Sequence, residues 1–569
     1  MRIIKSIAKS TALAGILVLS ALTAFAGQDS LFKAGTYSAV GQGKEGDVNV
    51  SVTFSENEIL SVEVGDNNET IGIGDAAINQ LPEAIVETQS VAVDMVSGAT
   101  MTSAAIIDAV KDCISQAGGD ADALAEKTAT EDAALEDAST DVLVIVGGGA
   151  GMVSAIYAAM EGADVILVEK QGRLGGNTAM ARGIFGCSES SYQKENGITA
   201  TKEDHFDNYL VSYPDADEDM IRLLAEKTGE AADWLIENGA EFEAVSGNFT
   251  LVPKDHRLGT QVMTICEKFL DQYNVDVRIN TSGKSLITED GVVTGAVVET
   301  NGSTYTITAD SVIITTGGFS SNNEMVTKYN PIYEGLGFIS SAGNVGDGHI
   351  MAEEIGAQLA YMDVMKCNPF LYLDEATGDY TMIGTYVNPG IAVTKEGNRI
   401  GNEHANYYFS PSIMALEDKT AYLLYNEAVR GMLEAPNVTS VSYDTIEELC
   451  ADTGIDVEGL KATLISYAES AQAGSDEFGR TIFQDDLSEG PYYAVKLTPA
   501  MQGTFGGLLI DTSCQVLDTE NNVIPGLYAA GECAGDGLYG ANPVPTDCVF
   551  GNIAGTAAAQ YALEADAAA

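Results

Sequence analysis

Residues 141–169 constrain the fold more than any other stretch of the chain. After Asp141, Val142-Leu-Val-Ile-Val146 is an unbroken apolar run of strand length, leading into Gly147-Gly148-Gly149-Ala150-Gly151 and a helical pattern to Met160. A second apolar strand, Asp164 to Val168, ends in Glu169 with Lys170 beside it, about twenty residues past the glycines. Strand, glycine turn, helix and strand make a βαβ unit. Its glycines admit a pyrophosphate to the helix N-terminus, and its acid takes the ribose hydroxyls. One departure stands out. In register, the first glycine of G-x-G-x-x-G is Val146, so the turn is either altered or shifted by one residue. Further glycine clusters follow: Gly175-Gly176-Asn177-Thr178, Thr315-Thr316-Gly317-Gly318-Phe319, Gly346-Asp347-Gly348, and Gly526 through Gly531-Glu532.

The rest of the composition narrows the class. The chain has 569 residues, 28 Lys+Arg, 83 Asp+Glu and a net charge of −55, with 45% hydrophobic residues. That supports a large buried core and argues against nucleic acid or an anionic membrane surface, both of which need clustered cations. Arg2, Lys5 and Lys9, the small-apolar run Ser10–Leu22 and Ala24-Phe25-Ala26 form a cleavable signal peptide over 1–26, with no lipobox cysteine after it. The expected location is therefore secreted or cell-surface. Eight scattered cysteines include no C-x-x-C pair and no C-x-x-C-H haem site, so they are expected to be buried apolar residues. Four histidines without ligand spacing suggest no metal.

Ahead of the βαβ unit, VNVSVTF and ILSVEV alternate apolar and polar residues as half-buried antiparallel strands do. The run Asp94…Ser97-Gly98-Ala99-Thr100 then precedes a helical pattern. Together, residues 33–118 resemble the FMN-binding domain of extracellular and respiratory flavoproteins. The resemblance implies that FMN is joined through its phosphate to the Thr100 hydroxyl, with Ser97, Gly98 and Ala99 around it. The plainer alternative is that Ser97, Thr100 or Thr102 only cap the helix. Residues 119–139, rich in Ala, Asp and Glu, read as an acidic linker.

The glycine clusters of the large part, taken in order, resemble the flavin subunits of the fumarate reductase/succinate dehydrogenase superfamily. More narrowly, the chain resembles the soluble fumarate reductases, urocanate reductases and 3-ketosteroid dehydrogenases. The implied fold is α/β: a Rossmann-like FAD-binding domain at 140–356 and 503–565, with an α+β capping domain inserted at 357–502 and a small α+β FMN domain in front. The resemblance implies non-covalent FAD contacts at Gly148, Gly149, Ala150, Gly151, Glu169, Lys170, Gly176, Asn177, Thr178, Thr316, Gly317, Gly318, Asp347 and Glu532. With one dinucleotide fingerprint, taken by FAD, no bound NAD(P)H is expected. Electrons are expected to come from a membrane or surface carrier through FMN.

Against the superfamily's substrate residues the departures are systematic. Its capping-domain His falls at Asn368, its second His at Gly503, and its Arg of G-A-N-R at Pro543. The Arg upstream of the Lys395-Glu396-Gly397 turn falls near Tyr386, and the proton-donating Arg falls at Tyr407. A pocket without those cations is poorly suited to a dianion, because unpaired buried carboxylates cost several kcal/mol. The implied activity is reduction of an activated C=C in an enone or enoate other than fumarate. Tyr407 is the expected proton donor, Tyr408 its rival, and Tyr386, Glu403 or His404 the groups that reload it. His256 and Tyr539 stay open between site and core. Two alternatives stand beside this: fumarate or urocanate reduction through rearranged ligands such as Lys366 and Arg399, and a non-catalytic flavin electron carrier.

Overall fold

The computed structural model describes residues 31–43, 46–65, 67, 69, 74–93, 95, 99–121, 123–125, 136–181, 183–254, 257–375, 378–384, 389–433, 438, 441–483, 486–535, 537–538 and 543–568. The signal segment, Ser97, Gly98, His256, Tyr386 and Tyr539 lie outside them, as does most of the acidic stretch 119–139. The chain divides into two compact units, Met1–Asp132 and Ala133–Ala569.

In the small unit, β1 (Gly35–Gln42), β2 (Asp47–Phe54) and β3 (Ile59–Val64) form an antiparallel sheet in sequence order. The alternation expected of β2 is present: Val48, Val50, Val52 and Phe54 are buried. They pack in one core with residues of α1 (Gly74–Thr88) and α2 (Thr100–Gln116), among them Leu81, Ile85, Ile106 and Val110.

The large unit is built on β4 (Ala138–Ile145), which pairs in parallel with β5 (Val165–Val168) and with the strand Ser303–Ile314. β4 begins four residues ahead of the apolar run, because Ala138–Thr140 find partners in Ile307–Ala309. Val142 to Ile145 are fully buried, as a strand covered on both faces requires. At roughly 1.5–3 kcal/mol for each such side chain, this strand anchors the sheet. The strand Val523–Ala529 joins the same sheet beside Ser303–Ile314 and delivers the Gly531-Glu532 turn to its carboxyl end. α3 (Gly149–Glu161) packs on the final helix, Pro543–Ala568, through Gly555. A methyl on Gly555 would lie 2.2 Å from the Ser154 carbonyl oxygen.

The inserted cap has its own sheet, Ile391–Val393, Ala421–Asn426 and Tyr492–Leu497, backed by helices Ile446–Thr453 and Val457–Ala473. The cap joins the FAD-binding part through an antiparallel ribbon in which Met365–Asn368 pairs with Ala500–Thr504. All eight cysteines are buried and none forms a disulfide.

Candidate active site

Val146 stands in register at the first glycine position, with φ +83°. The turn is therefore altered rather than shifted. A β-branched residue there costs about 1–3 kcal/mol. Neighbouring bonds hold it in place: its N–H donates to the Val168 carbonyl at 2.8 Å, and its carbonyl accepts from Thr315 Oγ1 at 2.6 Å.

The rest of the turn fits a pyrophosphate. Gly148 is the N-cap of α3, a 13-residue helix, and as a glycine it places no capping side chain over the helix N-terminus. A methyl on Gly149 would sit 2.4 Å from Thr178 Oγ1 and 2.5 Å from Asp547 Oδ2, so the backbone approach needs glycine. The Gly149 N–H donates to Thr178 Oγ1 at 3.2 Å, and that hydroxyl donates to Asp547 Oδ2 at 2.8 Å. Glu169 is buried at the end of β5, accepting from Gly147 N–H at 3.0 Å and Gln171 N–H at 2.7 Å. Burial pushes its carboxyl up, against those bonds and the charges of Lys170 and Arg173. Lys170 itself pairs with Asp347 at 2.5 Å.

Glu532 gathers the remaining glycine clusters. Its Oε2 accepts from Asn177 Nδ2 and from Asn344 Nδ2, each at 3.0 Å, and its Oε1 accepts from Thr504 N–H at 2.9 Å. Thr504 Oγ1 in turn accepts from Phe319 N–H at 2.9 Å, tying in the Gly317-Gly318 turn. Residues more than 300 positions apart thus meet at one carboxylate, whose ionisation burial opposes. Asn344 and Asp547 were not among the sequence candidates. Asn344 lies two residues before the Gly346-Asp347-Gly348 cluster. Asp547 had a weak signal, an acid in the second turn of the final helix.

In the cap, the expected proton-relay and ligand groups separate. Glu403 is fully buried and committed: it accepts from Ala392 N–H at 2.9 Å, from Arg399 through two bonds of 2.9 and 2.7 Å, and from Arg480 at 2.9 Å. Arg399 also binds Asp476 at 2.5 Å. Arg399 is thus a structural cation inside the cap, which removes it as a substrate ligand; Glu403 is its counter-ion. Tyr408 is 67% exposed. His404 is partly buried on the same turn of 3-10 helix, Glu403–Phe409, which also carries the Tyr407 backbone. Asn368 and Gly503, at the two expected histidine positions, are both buried on the ribbon.

In the small unit, α2 starts at Thr100. Its N-cap, Ala99, supplies no side-chain hydrogen bond. The Thr102 hydroxyl is not a cap either, since it donates to the buried Glu69. A helix N-terminus left this way accommodates a phosphate.

A family model for an FAD binding domain matches residues 141–549, and one for an FMN-binding domain matches residues 43–115. The chain belongs to the flavin-subunit superfamily of fumarate reductases and succinate dehydrogenases. Among the relatives of this flavoprotein, the urocanate reductase of Eggerthella lenta is 32% identical over 561 residues, 92% of each chain. The fumarate reductase (cytochrome) of Shewanella frigidimarina is 33% identical over 464 residues, 77% of this chain and 81% of that one. Among solved structures, the open conformation of a flavocytochrome c3 fumarate reductase matches with TM-score 0.65 and 29% identity, covering 75% of this chain and 79% of the other. The flavoprotein is an oxidoreductase that reduces C=C acceptors, with FAD in its large unit and FMN in its small one.

Proposed function

We propose that this flavoprotein works outside the cytoplasmic membrane and reduces an enone or enoate other than fumarate, taking electrons from a membrane or surface carrier through FMN on Thr100. The observation that carries the substrate choice is the commitment of Arg399 and Arg480 to Glu403 and Asp476, beside Asn368 and Gly503 at the expected histidine positions. A dicarboxylate held in that surrounding lacks the paired cations that bidentate recognition uses. Bound FAD supplies the hydride. The chain's own part is to position the acceptor and to deliver a proton to the carbon α to its activating group, the role assigned to Tyr407 as a phenol protonated at neutral pH. The basic, apolar and Ala-Phe-Ala segments of residues 1–26 support the location.

Likeness over 92% of both chains favours a second reading, urocanate reduction. Urocanate is itself an enoate with a single carboxylate. The test is anaerobic reoxidation of the reduced protein by fumarate, urocanate, cinnamate-type acids and enones. Oxidation by monocarboxylic enoates or enones, with fumarate inert, supports the proposal. Fumarate turnover matching the best acceptor overturns it.

A further inference from the structure

The cap-bearing ribbon brings a lysine to the FAD side of the molecule. Lys366 lies directly opposite Gly503 in the pairing of Met365–Asn368 with Ala500–Thr504. Directly opposed residues on an antiparallel pair project from the same face. That face is marked by Glu532: a methyl on Gly503 would lie 3.2 Å from Glu532 Oε1, and the next residue, Thr504, binds the same oxygen through its N–H. Lys366 therefore shares a face with the carboxylate at which the Asn177, Asn344 and Gly318 turns converge, and Gly503, opposite it, leaves room on that face. Glu532 is an anion within its electrostatic reach.

We propose that Lys366 is the acceptor-binding cation of this site and that it receives the carboxylate of an enoate bearing one such group. The inference rests on the reductase reading and sharpens its substrate class. Reduction adds a hydride to the β carbon and a proton to the α carbon, and it oxidises the reduced flavin by two electrons. Negative charge grows on the carboxylate as the hydride arrives, and an ammonium in contact with those oxygens lowers the barrier. A second carboxylate, as in fumarate, meets the uncharged Asn368 and Gly503 on this ribbon instead. Burial pushes the Lys366 ammonium down to about 8, and Glu532 pulls the other way. At neutral pH the side chain is therefore mostly cationic, and a carboxylate partner offsets what its burial costs.

The test compares cinnamate, urocanate and crotonate with their methyl esters on the FAD- and FMN-loaded protein, in wild type and in Lys366→Met, with Lys366→Gln as the second variant and bound FAD measured throughout. Removing one charge-assisted bond should raise KM for the acids by about 10- to 150-fold. The KM for the esters should stay unchanged, and Lys366→Arg should restore part of the acid preference. Equal effects on acids and esters, unchanged KM for the acids, or a shifted FAD midpoint potential without a KM change would each overturn the assignment. If no acid or ester reoxidises the wild type, the reductase reading fails, and Lys366 is then judged by binding alone. In that case a shift of the oxidised flavin spectrum on adding 3-phenylpropionate, present in wild type and lost in Lys366→Met, sustains it. No shift in the wild type refutes it.

Discussion

Asp547 makes the flavin site sensitive to pH in a way that one substitution isolates. It is buried beside the first turn of α3, accepting from Thr178 at 2.8 Å, with Glu532 as a nearby like charge. Burial pushes its carboxyl from 3.8 up to about 7, Thr178 pulls it down, and Glu532 adds to the rise. A carboxyl whose folded pKa lies above its unfolded one binds more protons when folded. The contribution of Asp547 to the stability of the FAD-free protein therefore falls as pH climbs from about 4 to about 7, and falls no further above that. Three pKa units at about 1.4 kcal/mol each bound the loss at about 4 kcal/mol. Asp547→Asn keeps the shape and an acceptor for Thr178 but removes the titration. In urea unfolding of apoprotein the variant should match wild type near pH 4 and exceed it by up to about 4 kcal/mol at pH 8. The same charge opposes a pyrophosphate. The FAD dissociation constant of wild type should thus rise by up to about tenfold per pH unit above 7, more steeply than that of the variant. Parallel pH profiles for the two proteins, in unfolding and in FAD binding, would refute the reasoning.

Glu403→Gln leaves Arg399 and Arg480 buried with one fewer carboxylate, so melting of the cap should reveal a loss of about 3–5 kcal/mol; a change under 1 kcal/mol would show the cluster to be dispensable. Tyr407→Phe should cut alkene reduction about 10²–10⁴-fold with FAD retained, and near-normal turnover would move the proton to His404. Thr100→Ala should remove the FMN adduct from the intact mass while FAD stays bound; a surviving adduct places the attachment elsewhere.

What could be read from the sequence was whatever is local. The alternation in Asp47–Phe54 and the apolar run from Val142 specify strands because each strand's burial is written in consecutive residues. Val146 shows the edge of that legibility: the sequence left altered and shifted turns equally open, and only the φ of +83° separates them. The site itself is not local. Glu532 acquires its neighbours from positions 177, 344 and 504, and Lys366 its orientation from Gly503, so no window of the sequence contains the arrangement. Arg399 misled for a related reason. As a lone cation near the expected substrate residues it looked available, but its partners Glu403 and Asp476 are four residues away and seventy-seven away. The near one opens the 3-10 helix that follows Arg399, whereas the far one comes from a distant loop.

The ribbon that joins the cap has a consequence for building new enzymes from this chain. Asn368 and Ala500 face each other as paired strand residues, so the whole excursion between them leaves and returns at one rung of a ladder. Glu532, Asn177, Asn344, Thr504, Thr178 and Asp547 all lie outside that excursion. The intervening segment can thus be treated as one unit, provided that Met414, which packs with Phe319 and Met365, keeps an apolar equivalent. It can be exchanged for the corresponding segment of a relative, or closed with a tight hairpin turn, without cutting any of the bonds described around the FAD.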